Sequence, residues 1–510
     1  MMARLSNDTL GAVPETIGKP DYDRAQTSTG IVHLGIGAFH RGHLAVYIDE
    51  CLAGDPSWAI CGVSLRSPRT RDALAPQDGL YTLGVQSAAG LKPRIIGSVK
   101  EVLVAPEEPQ ALLERLTDPS TRIVSLTVTE KGYCHDPATG RLKADHPDIL
   151  HDLAANFAGA GEAPISAIGW LWLGLAARHE QGIPPFTVLC CDNLPANGAT
   201  VRQVVLDYAV LKDPDKVAWA TDALAFPSTM VDRIVPATTD HDRAMLAAAL
   251  GMEDAWPVMA EPFSQFVVQD HFPIGRPDLD TVGVTMTQDV EPFEAMKLRM
   301  LNGSHSTLAY LGWLAGHETV ADTMTDASLR RLISDLMGSE IIPTLSMPYG
   351  VDLPAYRDVL LERFANPALK HKTFQIAMDG SQKLPQRLLG TIRDRLSDGQ
   401  SIDRLALGVA AWIRFATGQD EAGASFEVQD PLADEFAILA SDAAIDKDQP
   451  GRFDADRLAS GFFGLNAVFG DDLPAEERFR GPVIVALRML CEKGARETIA
   501  TYSKLGGPAL

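Results

Sequence analysis

A short apolar run that ends in two glycines constrains the fold of this chain more than any other feature. Residues 31–37 read Ile-Val-His-Leu-Gly-Ile-Gly, and a stretch with helical character follows through Cys51. Strand, glycine turn and helix form the first unit of a dinucleotide-binding fold, in which small residues let the backbone approach a pyrophosphate. However, His40 stands where the third glycine of the Gly-x-Gly-x-x-Gly motif is expected. An ordinary strand-to-helix turn therefore explains Gly35 and Gly37 about as well as a nucleotide site does.

The N-terminal part alternates between the patterns of buried strands and helices, which predicts an α/β fold with a doubly wound parallel sheet. Strands are predicted at residues 31–35, 59–65, 95–98, 123–128 and 186–190, and helices at residues 166–180 and 199–210. Ligand sites of such sheets gather at strand ends, where residues 127–131 and 192–193 lie. From Pro292 onwards the pattern is helical. We therefore predict a Rossmann-like domain over residues 1–285, a mainly helical domain over residues 286–510, and a site in the cleft between them.

The composition argues against several classes of function. Of the 510 residues, 45 are Lys or Arg and 67 are Asp or Glu, so the net charge is −22 and no nucleic-acid partner is expected. Because no apolar run approaches about 18 residues and the first residues lack an apolar segment, we expect neither a membrane span nor a signal peptide. The six cysteines show no Cys-x-x-Cys spacing, which indicates reduced thiols in a cytoplasmic protein and no metal site.

A lysine, an asparagine and a histidine come close together in the segment 294–305, Glu-Ala-Met-Lys-Leu-Arg-Met-Leu-Asn-Gly-Ser-His. On a regular helix that turns about 100° per residue, Asn302 lies about 140° and His305 about 80° around the axis from Lys297. A desolvated lysine can act as a base near neutral pH, and the other two can donate hydrogen bonds to one oxygen. This combination suits proton transfer on an alcohol that is being oxidised. The alternative is an amphipathic helix with a solvated lysine and a histidine satisfied in the core.

Five sequence blocks together resemble the polyol-specific long-chain dehydrogenase/reductases, the family of the mannitol dehydrogenases and fructuronate reductases. These blocks are Gly-x-Gly-x-Phe-His-Arg-x-His at residues 35–43, Val-Thr-Glu-Lys-Gly-Tyr at 128–133, Cys-Asp-Asn at 191–193, Met-Val-Asp-Arg at 230–233 and Lys-x4-Asn-x2-His at 297–305. The resemblance runs from about residue 21 to beyond residue 385 and so covers most of the chain.

The resemblance implies roles for the polar residues of these blocks. Lys297 would be the general base in alcohol oxidation and the general acid in ketone reduction, without a metal. Asn302 and His305 would hold the substrate oxygen, and Glu130 would relay protons between the lysine and solvent. The alternative for Glu130 is a loop carboxylate that caps a turn.

The resemblance also implies that Asn193 and Asp232 contact substrate hydroxyls. Asp192 could instead cap the following helix. Likewise, Val-Asp-Arg at residues 231–233 could be a plain strand edge with an ion pair.

Nucleotide binding is predicted for residues of the first glycine turn and of two strand ends, namely Gly35, Gly37, Phe39, Arg66, Ser67 and Thr127. NAD-specific folds usually place an acid after the second strand, whereas this chain has Arg-Ser-Pro-Arg-Thr-Arg at residues 66–71 and no acid before Asp72. Arg66, Ser67 and Arg69 could accept a 2′-phosphate, or the arginines could be solvated. NAD is the favoured cofactor, and NADP is the alternative.

The blocks at residues 298–306, 309–312 and 376–387 are most similar to fructuronate reductases. Where mannitol-type enzymes carry an arginine and a histidine, this chain has Gln375 and Met378. Lys383, with Arg387 or Lys372, could pair with a sugar-acid carboxylate, although a solvated helix start is the alternative. The sequence thus predicts reversible reduction of D-fructuronate to D-mannonate. The alternatives are a mannitol- or arabinitol-type polyol dehydrogenase and, from another class, a non-catalytic dinucleotide-binding sensor. A monomer is weakly favoured.

Overall fold

The computed structural model describes residues 2–137, 139–157, 161–348, 350–368, 370–445 and 451–505. The chain divides into two compact units, Met1–Glu291 and Pro292–Leu510. The sequence places the corresponding boundary between residues 285 and 286. Within the described part of the chain, no helix is both long enough and apolar enough to cross a membrane.

The first unit contains a five-stranded parallel sheet, as the alternating pattern predicts. Its strands and those of two smaller sheets are β1 (Thr29–Leu34), β2 (Ala59–Ser64), β3 (Tyr81–Ser87), β4 (Gly90–Ile96), β5 (Val99–Val104), β6 (Ile123–Leu126), β7 (Thr187–Cys190), β8 (Thr229–Asp232), β9 (Val258–Ala260), β10 (Gln265–Gln269) and β11 (Thr285–Thr287). The parallel sheet has the order β5-β2-β1-β6-β7, and the smaller sheets have the orders β11-β10-β8 and β4-β3-β9. The order reverses between β1 and β6, and ligands of such sheets bind beyond the carboxyl ends of the strands at this point.

Helices cover both faces of the parallel sheet, so its strands are buried on both sides. The helices of this unit are α1 (Ala38–Gly42), α2 (Leu44–Cys51), α3 (Arg69–Leu74), α4 (Pro109–Thr117), α5 (Pro147–Ala154), α6 (Ala167–Glu180), α7 (Asn197–Lys212), α8 (Val217–Ala223) and α9 (Asp240–Leu250). In β1, Val32 packs in one cluster with Trp170 of α6, whereas its neighbour Ile31 packs in another with Ile48 of α2. Successive strand residues point to opposite faces, so this division produces the doubly wound arrangement.

One predicted strand is wrong. Residues 95–98 were expected to form a strand of the parallel sheet, but they join the end of β4, which is antiparallel to β3, to the start of β5. The junction is tied to α2, because the Gly97 N–H donates to Asp49 Oδ1 (2.8 Å) and Ser98 Oγ donates to the Ala45 carbonyl (2.7 Å). The run at residues 95–98 therefore consists of the end of β4 and the connection to β5, and not of a separate strand.

The second unit is helical, as predicted. Its helices are α10 (Glu291–Met296), which begins at the unit boundary, α11 (Ser304–Leu314), α12 (Val320–Thr323), α13 (Ala327–Asp335), α14 (Leu353–Phe364), α15 (Thr373–Ala377), α16 (Gly380–Leu384), α17 (Gly390–Ser397), α18 (Asp403–Ala416), α19 (Ala433–Ala443), α20 (Ala455–Phe463), α21 (Asn466–Phe469) and α22 (Glu477–Tyr502). Helix α18 is buried on all sides, and its Trp412 contacts the rings of Phe436 and Phe462 edge-on. Three π-helical turns, Lys297–Gly303, Leu336–Ile341 and Pro385–Leu389, interrupt the regular helices.

Candidate active site

The segment with the lysine, asparagine and histidine is helical but not regular, so the predicted angles are wrong. Lys297–Gly303 forms a π-helical turn between α10 and α11. A π turn closes hydrogen bonds over five residues instead of four, which is the spacing from Lys297 to Asn302. The two residues therefore lie about one turn apart on one face rather than about 140° apart. Such turns occur frequently at functional sites.

A glycine allows this turn to pack against the second π turn, Pro385–Leu389. A Cβ atom placed on Gly303 would lie 2.6 Å from the carbonyl oxygen of Arg387. Real side chains do not approach a backbone this closely, so only glycine fits here. This contact brings the helix of Lys297 next to the segment that carries Lys383 and Arg387.

Lys297 is buried, with 8% of its surface exposed, and Asn302 and His305 are half-buried. A solvated lysine, the alternative left open by the sequence, does not fit this burial. The position instead provides the desolvated surroundings that a lysine acid/base requires.

His305 is held between aromatic rings and is kept neutral. Its ring stacks on Phe364 at a centroid distance of 5.3 Å, and His371 meets it edge-on at 5.1 Å. Burial lowers the pKa of His305 well below its usual value, and the neighbouring His371, Arg387, Arg363 and Lys383 lower it further. Neutral imidazole has one N–H donor, which can serve a substrate oxygen.

Three cationic side chains, Arg363, Lys383 and Arg387, lie close enough to His305 to lower its pKa, and we call them the cationic group. Nη1 of Arg387 donates to Ser306 Oγ (3.0 Å), and Nζ of Lys383 donates to the Met378 carbonyl (2.6 Å). Lys383 is half-buried, so it is not a solvated helix start.

Two members of this neighbourhood, Arg363 and His371, were not found from the sequence. They lie in α14 and in the segment before α15, outside the blocks that carry the resemblance. Lys372, in contrast, is exposed and pairs with Glu318 at 3.4 Å, which makes it an unsuitable partner for Lys383.

The first glycine turn, which contains Gly35 and Gly37, requires a glycine at position 35. Gly35 has a φ of +94°, and a Cβ there would lie 2.2 Å from the carbonyl oxygen of Thr127. Thr127 Oγ1 donates to the Gly35 carbonyl (2.8 Å) and lies 2.8 Å from His33 Nε2. At Gly37, which precedes α1, a Cβ would meet nothing closer than 3.8 Å. Phe39 is half-buried and stacks on His43 at 5.1 Å.

Arg41, which follows the first glycine turn, has a structural position. It is 4% exposed, and its guanidinium lies over the rings of Tyr81 (5.4 Å) and Trp256 (5.9 Å). Its Nη1 also donates to the Trp256 carbonyl. The side chain therefore braces the unit and is neither a surface residue nor a phosphate ligand.

The residues after β2 are at the surface. The Arg66 side chain is 81% exposed and lies 3.3 Å from Asp148, and Ser67 Oγ accepts the N–H of Arg69 at 3.4 Å. Asp72, the first acid after the strand, pairs with Arg71 at 2.8 Å.

The polar residues at the ends of β6, β7 and β8 differ in exposure. Glu130 is exposed and begins the short 3₁₀ turn Glu130–Tyr133, and Asn193 is exposed beyond β7. Asp232 is buried at the end of β8, opposite Gln265. Asp192 does not cap α7, because Ala196 occupies that position. Arg233 beside Asp232 donates to the backbone carbonyls of Gly42 and Glu261.

Among the residues that the structure describes, one group offers three atoms that could hold a metal ion. Cys134, His146 and Asp148 place these atoms within 4.8 Å of one another. Asp148 pairs with Arg66, and Nδ1 of His146 accepts the Asp148 N–H (3.2 Å) at the start of α5. Asp148 and His146 therefore have structural contacts of their own. The sequence predicts no metal site.

Comparison with known proteins identifies the family. The mannitol dehydrogenase Rossmann domain matches residues 29–281, and the mannitol dehydrogenase C-terminal domain matches residues 289–453. The D-mannonate oxidoreductase of Escherichia coli K12 is 47% identical over 490 residues, covering 95% of this chain and 98% of that protein. A mannitol 2-dehydrogenase of Aspergillus fumigatus is 40% identical over 492 residues, 95% of each chain.

The solved structure of a mannitol 2-dehydrogenase is also similar to this chain. Pseudomonas fluorescens mannitol 2-dehydrogenase, in a ternary complex with NAD and D-mannitol, matches with a TM-score of 0.82 and 37% identity over 98% of this chain and 100% of that one. The resemblance of the sequence blocks is thereby confirmed. The chain belongs to the mannitol dehydrogenase family of oxidoreductases, which act on CH–OH groups.

Proposed function

We propose that this protein catalyses the reversible reduction of D-fructuronate to D-mannonate with NAD as cofactor. The observation that carries the choice of substrate is the cationic group Arg363, Lys383 and Arg387 around His305. A sugar acid offers a carboxylate that such cations bind through charge-assisted hydrogen bonds, whereas a polyol has no charge to pair. The 47% identity to a D-mannonate oxidoreductase supports the same substrate.

The residues of the second unit supply proton transfer and charge stabilisation. In oxidation, the neutral amine of Lys297 accepts the hydroxyl proton of the substrate, and in reduction the ammonium returns it. The Asn302 amide and the neutral His305 donate hydrogen bonds to the substrate oxygen as negative charge develops on it. NAD, when bound, accepts the hydride in oxidation. Glu130, an exposed carboxylate, is proposed to carry the proton onward to solvent.

The residues at the carboxyl ends of β1, β2 and β6 fit a dinucleotide. Gly35 lets β1 approach Thr127, and the open space at Gly37 admits a phosphate to the backbone. Phe39, Arg66 and Ser67 are proposed to complete this site. Asn193 and Asp232 are proposed to bind substrate hydroxyls.

We further propose that the enzyme is a cytoplasmic monomer. All six cysteines are described, and all six are free thiols, which fits a reducing compartment.

The substrate proposal predicts a rank order of activities. With purified protein and NAD, kcat/KM should be higher for D-mannonate than for D-mannitol or an arabinitol, because only the sugar acid can pair with the cationic group. Steady-state absorbance of NADH measures all three. A higher kcat/KM for D-mannitol would mean that the protein is a polyol dehydrogenase. Nucleotide binding without turnover of any of these substrates would instead indicate a sensor.

The cofactor proposal predicts that kcat/KM is higher with NADH than with NADPH. Arg66 is exposed and already pairs with Asp148, so it can add only a weak contact to a 2′-phosphate. Arg66→Ala should lower kcat/KM for NADPH by about threefold and should lower the value for NADH less, because NADH has no 2′-phosphate for the arginine to meet. A higher kcat/KM with NADPH in the unmodified enzyme would contradict the proposal.

A further inference from the structure

The backbone of Thr129 is held in a conformation that threonine rarely adopts. Its φ is +66° and its ψ is 159°, a region that is essentially restricted to glycine. A β-branched residue is strained there by about 1–3 kcal/mol, and such strain persists only where the surrounding structure fixes it. Thr129 joins the segment after β6 to the turn that begins at Glu130. The fold therefore holds this turn against a local preference to relax.

Asp192, at the end of the neighbouring strand β7, makes the contacts that hold this turn. Its Oδ2 accepts the N–H of Val128 at 2.8 Å and the hydroxyl of Tyr133 at 2.7 Å. Burial raises the pKa of Asp192, and hydrogen bonds from Tyr133 and from the N–H groups of Val128 and Thr129 oppose the rise. Val128 and Tyr133 stand on either side of the strained residue. One carboxylate thus ties both ends of the turn.

The start of the same loop is held independently of Asp192. Thr127 Oγ1 donates to the Gly35 carbonyl (2.8 Å) and contacts His33 Nε2 (2.8 Å). The side chains of Thr129 and Glu130, in contrast, are exposed. Loss of the Asp192 contacts should therefore release Thr129 and Glu130 while Thr127 stays against Gly35.

We propose that Asp192 is a positioning residue, whose carboxylate holds the strained Thr129 backbone and thereby fixes where Glu130 presents its carboxylate. This inference rests on the proposed role of Glu130 in proton transfer. If the peptide at Thr129 relaxed to a negative φ, the direction of the chain into Glu130 would change, and the carboxylate would leave its position. The proposal explains why a half-buried acid follows β7 without capping α7.

Asp192→Asn tests this proposal, and Asp152→Asn is its matched control. Asp152, in the same unit, also accepts two consecutive backbone N–H groups, of Ile165 (2.8 Å) and Ser166 (3.0 Å), and a hydroxyl, Ser166 Oγ (2.5 Å). Both substitutions replace a charged acceptor by a weaker neutral one. They should lower thermal stability similarly, but only Asp192→Asn should alter catalysis.

Amide hydrogen exchange measures whether Asp192 holds the Thr129 backbone, and kcat measures the catalytic consequence. In Asp192→Asn, amide hydrogen exchange at Val128 and Thr129 should become about tenfold faster, kcat should fall about tenfold, and its pH dependence should shift. Asp152→Asn should keep the exchange at Val128 and Thr129, and its kcat should change by less than about twofold. If Asp192→Asn does not fold, Tyr133→Phe removes one contact to the same carboxylate and should accelerate the same exchange.

A second substitution tests the strain directly. Glycine adopts the backbone angles of Thr129 without strain, so in a Thr129→Gly background Asp192→Asn should lower kcat less than it does alone. Unchanged amide exchange at Val128 and Thr129 in Asp192→Asn and Tyr133→Phe would show that Asp192 does not hold the Thr129 backbone. Faster exchange with an unchanged kcat would show that Asp192 is only structural. If the unmodified enzyme turned over neither D-mannonate nor D-mannitol, the proposed function would fail. Amide exchange would still show whether Asp192 holds the Thr129 backbone.

Discussion

Replacing Lys297 by methionine should lower kcat for D-fructuronate reduction by about a thousandfold or more, because general acid–base catalysis commonly contributes about 10²- to 10⁴-fold. Methionine fills the volume of the lysine stem without an ionisable group, so the buried position stays packed. NADH affinity should change by less than about twofold, since the lysine acts on the proton and not on the nucleotide. Steady-state absorbance gives kcat, and fluorescence titration gives the NADH affinity.

Lys372→Met is the matched control, because this lysine of the same unit is exposed and pairs only weakly with Glu318. It should leave both kcat and NADH affinity unchanged. Lys297→Ala should regain part of its turnover when methylamine is added, because the small amine can occupy the vacated space and carry the proton. Loss of NADH binding together with turnover in Lys297→Met would contradict the assigned role, as would a kcat close to that of the unmodified enzyme.

The fold was predictable because the parallel sheet produces a simple sequence pattern. Its strands are buried on both faces, so β1, β6 and β7 appear as continuous apolar runs between helical segments. The short strands β9 and β11 have three residues each and were not recognised. Their pairing is decided by distant partners rather than by local sequence.

The candidate residues Lys297, Asn302 and His305 could be named from the sequence, but their geometry could not be derived. Apolar periodicity distinguishes a helix from a strand, whereas a π turn of seven residues such as Lys297–Gly303 leaves the same pattern. The turn packs against Pro385–Leu389 through Gly303, a contact between segments far apart in the chain. Tertiary packing, and not the local sequence, therefore places Lys297 and Asn302 on one face.

The supporting residues were harder to identify for a similar reason. Arg363 and His371 lie in segments that resemble ordinary helices and connections, and only folding brings them beside His305. A helix cap was one alternative for Asp192, since Asp before a helix commonly caps it. In the structure it binds Val128 and Tyr133 of another strand end instead.

Replacing Arg387 by methionine should lower kcat/KM for D-mannonate by about 10- to 100-fold, because a hydrogen bond to a charged group contributes about 1.5–3 kcal/mol. Arg387 lies beside His305, with Nη1 3.0 Å from Ser306 Oγ, where it can meet a substrate carboxylate. The value for D-mannitol should change by less than about threefold, since the polyol carries no charge for the guanidinium to bind.

Two further substitutions make this result specific to charge at one position. Arg387→Lys keeps the charge but loses the bidentate geometry, so its kcat/KM for D-mannonate should be intermediate. Arg393→Met removes an arginine from the following helix that pairs with Asp472 at 2.6 Å, and it should affect neither substrate. An equal fall for both substrates in Arg387→Met would indicate that Arg387 supports the π turn instead of the carboxylate. An unchanged value for D-mannonate would remove Arg387 from carboxylate binding and weaken the assignment of a sugar acid.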